Sequence, residues 1–326
     1  MSFAHKTRVA VLRGGPSSEY EVSLKSGETV LKNLPAKYEP IDVFISRVGA
    51  WHVGGVEKKP AEILKHIDVA FVALHGQYGE DGKVQRILEH IGIPFTGSKS
   101  FASALAMNKH LTKNALSHLK DKIKFAAHKV FTRDEIKQIG VNEIFRIIPH
   151  PSIVKPLSAG SSVGITIVKT FFDLESALKK ALEHSDSVII EEFIEGREVT
   201  CGVVDNFRGQ KTYSLFPIEI IPKEDFYDYH AKYISEDTRY ICPTKFDESI
   251  KQTIQEVSKA IHEHLGLRHY SRSDFIVHPK RGVYFLEVNT LPGMTSHSLI
   301  PKAGDAGGFP LSEFFDHVLT LAIARK

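Results

Sequence analysis

Apolar residues fall in short runs broken by polar or glycine-containing stretches, and the texture of the runs changes twice along the chain. Residues 8–12 (RVAVL) form an apolar run that ends at Gly14-Gly15. Ser18 with Glu21 then has the spacing of a capping box, predicting a helix toward Leu34. Further strands are predicted over 41–45 and 69–74 (VAFVAL), a helix over 84–91 and the start of a short strand at 93–95. Strand, glycine turn and helix in repetition suggest a small doubly wound domain, which binds at the carboxyl ends of its strands. The Gly14-Gly15 loop and His75-Gly76 sit at such ends. Residues 101–116 read as one helix carrying Lys109.

From about Asn108 a second texture begins: a strand at 153–155, a loop over 156–164, a strand at 165–168 and a helix over 174–184. From Val188 strands dominate, in VIIEEFI, EVTCGVV and TYSLFPIEII. A long polar-aromatic stretch follows over 222–243, then a helix over 250–265, a hairpin, and a final helix near 311–324. The predicted fold class is α+β with a doubly wound α/β amino-terminal part, in three domains over 1–107, 108–187 and 188–326. A chain of 326 residues is long for a single core, which agrees with such a division.

The hairpin carries the most chemistry. Residues 272–299 read RSDFIVHPKRGVYFLEVNTLPGMTSHSL, with a turn at 278–282. Side chains two apart on a strand share a face, so Glu287 and Asn289 project together, and antiparallel pairing brings Asp274 beside them. Two carboxylates and an amide oxygen make a hard, oxygen-only ligand set, better suited to Mg2+ shared with nucleotide phosphates than to zinc. Arg272 shares the face of Asp274 and is placed to meet a developing negative charge. An ordinary amphipathic hairpin with a polar outer face fits the spacing as well. The apolar flanks FIV and VYFL favour embedded strands, where clustered oxygens need a cation.

Composition removes several function classes. The net charge of +3 is too small to suggest a nucleic-acid or membrane surface. The seventeen histidines are scattered, without HExxH spacing, and two cysteines, Cys201 and Cys242, are too few for a disulfide framework, which fits a reducing cytoplasm. The opening MSFAHKTRVAVL has neither a long apolar region nor a cleavage site, so no signal peptide is expected, and no run approaches a membrane span.

Three loops remain. SAGSSVG (158–164) lies between two strands just after Lys155, and its glycines, N–H groups and serine hydroxyls, Ser162 among them, suit a phosphate cradle; a plain hairpin loop reads the same way. Lys155 and Lys109 supply positive charge there, or are simply solvated. The segment 191–198 (EEFIEGRE) offers apolar walls and acceptors to an adenine ring, or a charged strand edge. FYDYHAKYISEDTRY (226–240) has the aromatic content of a lid or of a packed surface loop, with Lys232 and Tyr233 as candidate grips on a carboxylate.

GGPSSEYEVSLKSG, LHGQYGEDG, GIPFTGSKSFASALAMNK, VKPLSAGSSVG, IEGREVT, FYDYHAKY and EVNTLPGMTSHSL together closely resemble the D-alanine–D-alanine ligases of the ATP-grasp superfamily, in the same order from about Arg8 to Gly308. The resemblance implies three domains with ATP between the central and carboxy-terminal ones. It implies nucleotide contacts from Lys109, Lys155, Ser162, Glu191 and Glu198, with Phe193 and Ile194 along the adenine. Asp274, Glu287 and Asn289 would hold two Mg2+ ions, with Mn2+ as an alternative, and Arg272 and the Gly293 backbone would stabilise the oxyanion. Glu19 would bind the amine of the first D-alanine, linked to Ser161 and Tyr233, which close the lid. Lys232, Ser298 and Leu299 would surround the second D-alanine, and His75 and Glu80 lie in the segment beside the substrates.

The implied reaction phosphorylates one D-alanine carboxylate and lets the amine of the second attack the acyl phosphate, behind a lid that excludes water. Depsipeptide-forming relatives lack a tyrosine matching Tyr233, so Tyr233 points to D-alanine rather than D-lactate as second substrate. The departures, Tyr270-Ser271 before Arg272 and Leu157 and Ala159 in the loop, avoid the charged positions. The resemblance further implies a homodimer, a bacterial cytoplasm and a role in peptidoglycan precursor synthesis. A ligase for D-lactate, D-serine or another amino acid, and a non-catalytic nucleotide sensor, are the competing readings. Residues 47–65 carry no legible motif.

Overall fold

The computed structural model describes residues 6–158, 164–222, 238–295 and 297–324. The first sheet holds β1 (Thr7–Gly14), β2 (Tyr38–Ile45), β3 (Trp51–Val53), β4 (Val56–Glu57) and β5 (Val69–Val72), in the order β4-β3-β2-β1-β5. β1 runs parallel to both β2 and β5, and β3 returns antiparallel on β2. Val9, Ala10, Val11 and Leu12 are wholly buried, as a strand covered on both faces must be. At the end of β1 the chain turns through Gly14 at φ +91°, where a Cβ would lie 2.2 Å from the Ile45 carbonyl oxygen. Only glycine fits that turn.

The expected capping box is absent. Helix Tyr20–Asn33 begins at an N-cap Glu19 that makes no side-chain capping bond, and the Glu19 N–H instead donates to Ser17 Oγ at 3.1 Å. Nor is 101–116 one helix. It breaks into Ser100–Met107 and Lys109–Ala115 at Asn108, whose extended backbone lets its side chain accept from the Leu111 N–H at 3.0 Å.

The second sheet comprises β6 (His128–Thr132), β7 (Ser152–Pro156), β8 (Thr166–Val168) and β9 (Ser187–Glu192), ordered β6-β9-β7-β8 and antiparallel throughout. Helix Phe171–Leu182 lays Leu174, Ala177, Leu178 and Ala181 against it, one apolar stripe at helical spacing. The run from Val188, placed by its texture with the carboxy-terminal strands, is thus the inner part of the central sheet.

The third sheet holds β10 (Arg197–Phe207), β11 (Gln210–Ser214), β12 (Ile218–Ile221), β13 (Arg239–Ile241), β14 (Tyr270–His278) and β15 (Gly282–Asn289), ordered β13-β12-β10-β14-β15 with β11 also on β10. Helix Glu248–His264 buries Ile254, Val257 and Ile261 in one core with Phe275 and Phe285.

The final helix, Leu311–Ala324, does not belong to that core. Phe314, Phe315, Val318 and Leu319 are wholly buried in the same cluster as Val9, Val11 and Phe71, and the rings of Phe315 and Phe71 meet edge to face at 5.4 Å. An amphipathic helix needs an apolar partner, and the amino-terminal sheet supplies it. Phe315→Ala should lower stability by about 3–5 kcal/mol, as large truncations in a rigid core do. Denaturant unfolding followed by circular dichroism checks this, with near-native stability as the contrary result.

Candidate active site

The β14–β15 pairing sets Asp274 opposite Glu287 and Arg272 opposite Asn289. A bulge after Asp274 decides what faces where. Phe275 pairs with Phe285 and Asp274 with Glu287, so Leu286 is an extra residue on β15. In a regular strand Phe285 and Glu287 would share a face. The extra residue lets Phe285 stay 1% exposed in the core while Glu287 joins the polar face with Asp274.

Asp274 is 3% exposed and heavily bonded. Arg272 forms a bidentate pair with it, Nε to Oδ1 and Nη2 to Oδ2, both at 2.9 Å. Asn289 Nδ2 donates to its Oδ2 at 3.1 Å, and Thr200 Oγ1, directly opposite on β10, donates to its Oδ1 at 2.5 Å. Asn289 therefore has its amide nitrogen turned to Asp274, which leaves the oxygen side of the same amide for a cation. Glu287 lies 3.3 Å from Lys109 Nζ. Oxygen donors on two paired strands, with lysine nearby, fit Mg2+ and phosphate chemistry and offer no soft ligand.

Lys109 leads to a second charged group, in the central sheet. Glu191 on β9 is 2% exposed and pairs with Lys155 Nζ at 2.6 Å and with Lys113. Burial alone would raise the Glu191 pKa, but the charges of Lys113 and Lys155 outweigh it and hold the carboxyl well below the usual carboxylate range. Burial pushes Lys113 the other way, down from the ordinary lysine value, against the pull of Glu191. Both Glu191 oxygens are thus engaged by lysines. Phe193 is half-buried with its N–H on the Pro151 carbonyl, and Ile194 packs with Ala126 and Tyr284. Glu198 sits on β10 opposite Ile276 and Ile220.

Beyond Asn289 the chain meets the amino-terminal domain. Glu80 is buried, its Oε1 accepting from the Gly76 N–H at 2.9 Å and its Oε2 from the N–H groups of Thr290 and Leu291 at 3.1 and 3.2 Å. Burial first, then the nearby Glu19 carboxylate, push its pKa up to about 7, a rise restrained by the backbone bonds. His75 bridges the same junction, Nδ1 to the Leu291 carbonyl at 2.8 Å and Nε2 to Ser26 Oγ at 2.7 Å. A carbonyl only accepts, so Nδ1 carries the proton and Nε2 accepts from Ser26, which itself accepts from the Met294 N–H at 3.2 Å. Burial lowers the His75 pKa, consistent with this neutral tautomer.

Glu19 is buried beside this loop. A Cβ on Gly76, at φ +67°, would fall 2.5 Å from Glu19 Oε2, so glycine there admits the carboxylate. Gly293 opens the turn before helix Leu299–Gly307; a Cβ on it would lie 2.7 Å from Ser298 Oγ, which also accepts from the Thr295 N–H at 3.0 Å. Leu299 is buried at the start of that helix.

Arg272, Asp274, Glu287, Asn289, Lys109, Lys155 and Glu191 thus form one charged track. Glu19, His75 and Glu80 adjoin it through residues 290–291. Ser161, Ser162, Lys232 and Tyr233 lie outside the described residues. Sequence reasoning missed Lys113, whose signal was its position one helical turn after Lys109, and Thr200, whose signal was its place in IEGREVT. Ser26 was missed too, and its signal was its place in GGPSSEYEVSLKSG.

Residues 8–63 and 54–98 match the D-ala D-ala ligase N-terminus family, and residues 119–320 the D-ala D-ala ligase C-terminus family. The chain belongs to the D-alanine–D-alanine ligases. The D-alanine–D-alanine ligase of Geobacter sulfurreducens is 39% identical over 318 residues, spanning 97% of this chain and 94% of the relative. Among solved structures, the VanG D-Ala:D-Ser ligase from Enterococcus faecalis superposes with a TM-score of 0.84 at 31% identity, covering 98% of this chain and all of the other. The D-alanine–D-alanine ligase from Coxiella burnetii gives 0.82 at 28% identity, with 99% and 95% covered. The three-domain ATP-grasp architecture follows, and with the family comes the use of ATP and Mg2+. Among the described residues no helix is long and apolar enough to cross a membrane.

The Glu80 junction yields a pH prediction. Its folded-state pKa lies above the ordinary carboxylate value, so its proton is held more tightly in the native state. That stabilisation is fully present below the ordinary range and is lost as pH rises through about 7. Glu80→Gln should remove this titration and flatten the Tm profile between roughly pH 5 and 7. It should also lower Tm overall, because an amide nitrogen then faces backbone N–H donors, at a cost of about 1–3 kcal/mol. Scanning calorimetry across pH checks both; parallel profiles would contradict the pH assignment.

Proposed function

We propose that this chain joins two D-alanine molecules into D-alanyl-D-alanine, consuming ATP and releasing ADP and phosphate. The observation that carries the reading is the paired Asp274–Glu287 face, flanked by Arg272 and Lys109 and continuous with the loop that buries Glu19. Lys109 and Lys155 hold the phosphates, and Asp274, Glu287 and Asn289 hold two Mg2+ ions. When bound, the ions offset phosphate charge and polarise the transferred group.

Glu19 takes the ammonium of the first D-alanine and so aims its carboxylate at the terminal phosphate. Transfer gives an acyl phosphate and ADP. Ser298, Leu299 and Lys232 seat the second D-alanine, whose neutral amine attacks the acyl carbon; the tetrahedral intermediate then expels phosphate. Arg272 and the Gly293 N–H meet the oxyanion. The bidentate grip of Asp274 orients the guanidinium before charge develops, so little reorganisation remains at the reacting step. Lys113 keeps Glu191 ionised when Lys155 turns to phosphate. Ser161, Ser162 and Tyr233 enter through the resemblance, as do a homodimer and a cytoplasmic, peptidoglycan-directed role.

The likeness to the D-Ala:D-Ser ligase favours one second reading, D-serine as the second substrate. Phosphate release from Mg2+-ATP should occur with D-alanine alone and give a D-alanyl-D-alanine mass. Release only with D-alanine plus D-serine, or plus D-lactate, would transfer the assignment to that ligase, and silence with ATP bound would discard both. Glu287→Gln should severely weaken Mg2+-dependent turnover with the fold intact, and near-normal turnover would refute the metal assignment. Arg272→Ala should lower kcat by the equivalent of about 2–4 kcal/mol, as loss of an oxyanion donor does.

A further inference from the structure

Residues 47–65 include a short hairpin, β3–β4, which none of the site contacts above involves. Its first residue, Trp51, is the single tryptophan of the chain and is 3% exposed. Its indole Nε1 donates to the hydroxyl of Tyr78 at 2.9 Å. Tyr78 lies in the loop between His75 and Glu80 and has φ +69°, a left-handed backbone that a bulky residue rarely adopts. Such a conformation persists only where the surroundings fix it.

The contacts close into a ring. Trp51 pairs with Ile45 across β2 and β3, and the Ile45 carbonyl accepts from the Gly15 N–H at 2.8 Å. The Tyr78 ring lies over Gly15, 3.7 Å from where a Cβ would stand, and its hydroxyl returns to Trp51. Gly15 opens the segment that leads to Glu19. Gly76, two residues before Tyr78, abuts the Glu19 carboxylate. The ring therefore fixes both backbone segments that flank Glu19.

We propose that the β3–β4 hairpin is a positioning strut for the first-amino-acid subsite, acting through the Trp51–Tyr78 hydrogen bond. Trp51 and Tyr78 are positioning residues; they set where Glu19 stands relative to the loop 76–80. The inference rests on the assignment of Glu19 to the ammonium of the first D-alanine. It gives residues 47–65 a function and makes Trp51 a built-in reporter of that subsite.

The test uses the full chain as wild type, Tyr78→Phe, Trp51→Phe and the double variant. Tyr78→Phe deletes only the acceptor oxygen, so the fold should hold, and Tm confirms it. In wild type and Tyr78→Phe, Trp51 fluorescence is titrated with D-alanine without ATP. The wild type should show a saturable change and Tyr78→Phe a several-fold weaker apparent affinity, in line with one lost hydrogen bond. In steady-state assays KM for D-alanine should rise by a similar factor in both single variants. KM for ATP should move by less than twofold, and the double variant should be no worse than either single one, since both remove the same bond.

Unchanged D-alanine affinity and KM in Tyr78→Phe would overturn the proposal. So would parallel rises in KM for D-alanine and ATP, which would mark a merely structural contact. Wild-type enzyme that neither turns over D-alanine nor responds to it in fluorescence would instead sink the functional assignment itself.

Discussion

Buried charge must be matched, and in this molecule that requirement organises the charged track that runs from the central sheet to the β14–β15 hairpin. An isolated carboxylate in a dry interior is so costly that it would give up its charge. Glu191 keeps its charge because Lys113 and Lys155 flank it, Glu287 has Lys109 beside it, and Asp274 has Arg272. The signs alternate from the central sheet to the carboxy-terminal hairpin. Each acid holds a base in place, and each base is one that an incoming phosphate or oxyanion would want. A track built this way, three acids against four bases, carries one surplus positive charge, and a polyphosphate arriving with its cations would exchange partners rather than create unpaired charge.

The same track depends on a joint between domains. Glu80 and His75 reach from the amino-terminal loop to the backbone at 290–291, immediately after β15. Their partners are main-chain N–H and C=O groups, which cannot swing away as side chains can. The position of Glu19 is thereby referred to the position of Asn289. The proposed reaction, between a carboxylate at one and a phosphate at the other, would need that reference, since small misplacements are expensive in rate.

Much of this was written in the sequence. Alternation and a short turn were enough to put Asp274 against Glu287 and Asn289, because the period of a strand is fixed by its geometry. The Gly14 turn was legible because only glycine tolerates it. Other features had no local signal. The bulge at Leu286 adds one residue to the strand, and nothing in VYFLEVN announces that Phe285 and Glu287 part company. The strand from Val188 looked like its followers because β propensity does not name a sheet. Lys113, one helical turn after Lys109, and Thr200, inside IEGREVT, did have a signal, but their roles show only once pairing sets Glu191 and Asp274 before them. Asn108 broke a helix that its apolar pattern would have continued, because its side chain could cap the next one.

The helix Leu311–Ala324 covers the sheet built from Thr7–Gly14 and Val69–Val72, so the two halves of one core stand at opposite ends of the sequence. During synthesis, the opening strands leave the ribosome long before the helix that shields Phe71. Until then that side of the sheet is sticky and unfinished, a target for chaperones and for association with other nascent chains. A sheet made early is thus finished late, and a premature stop that spares every residue of the charged track would still leave its scaffold open.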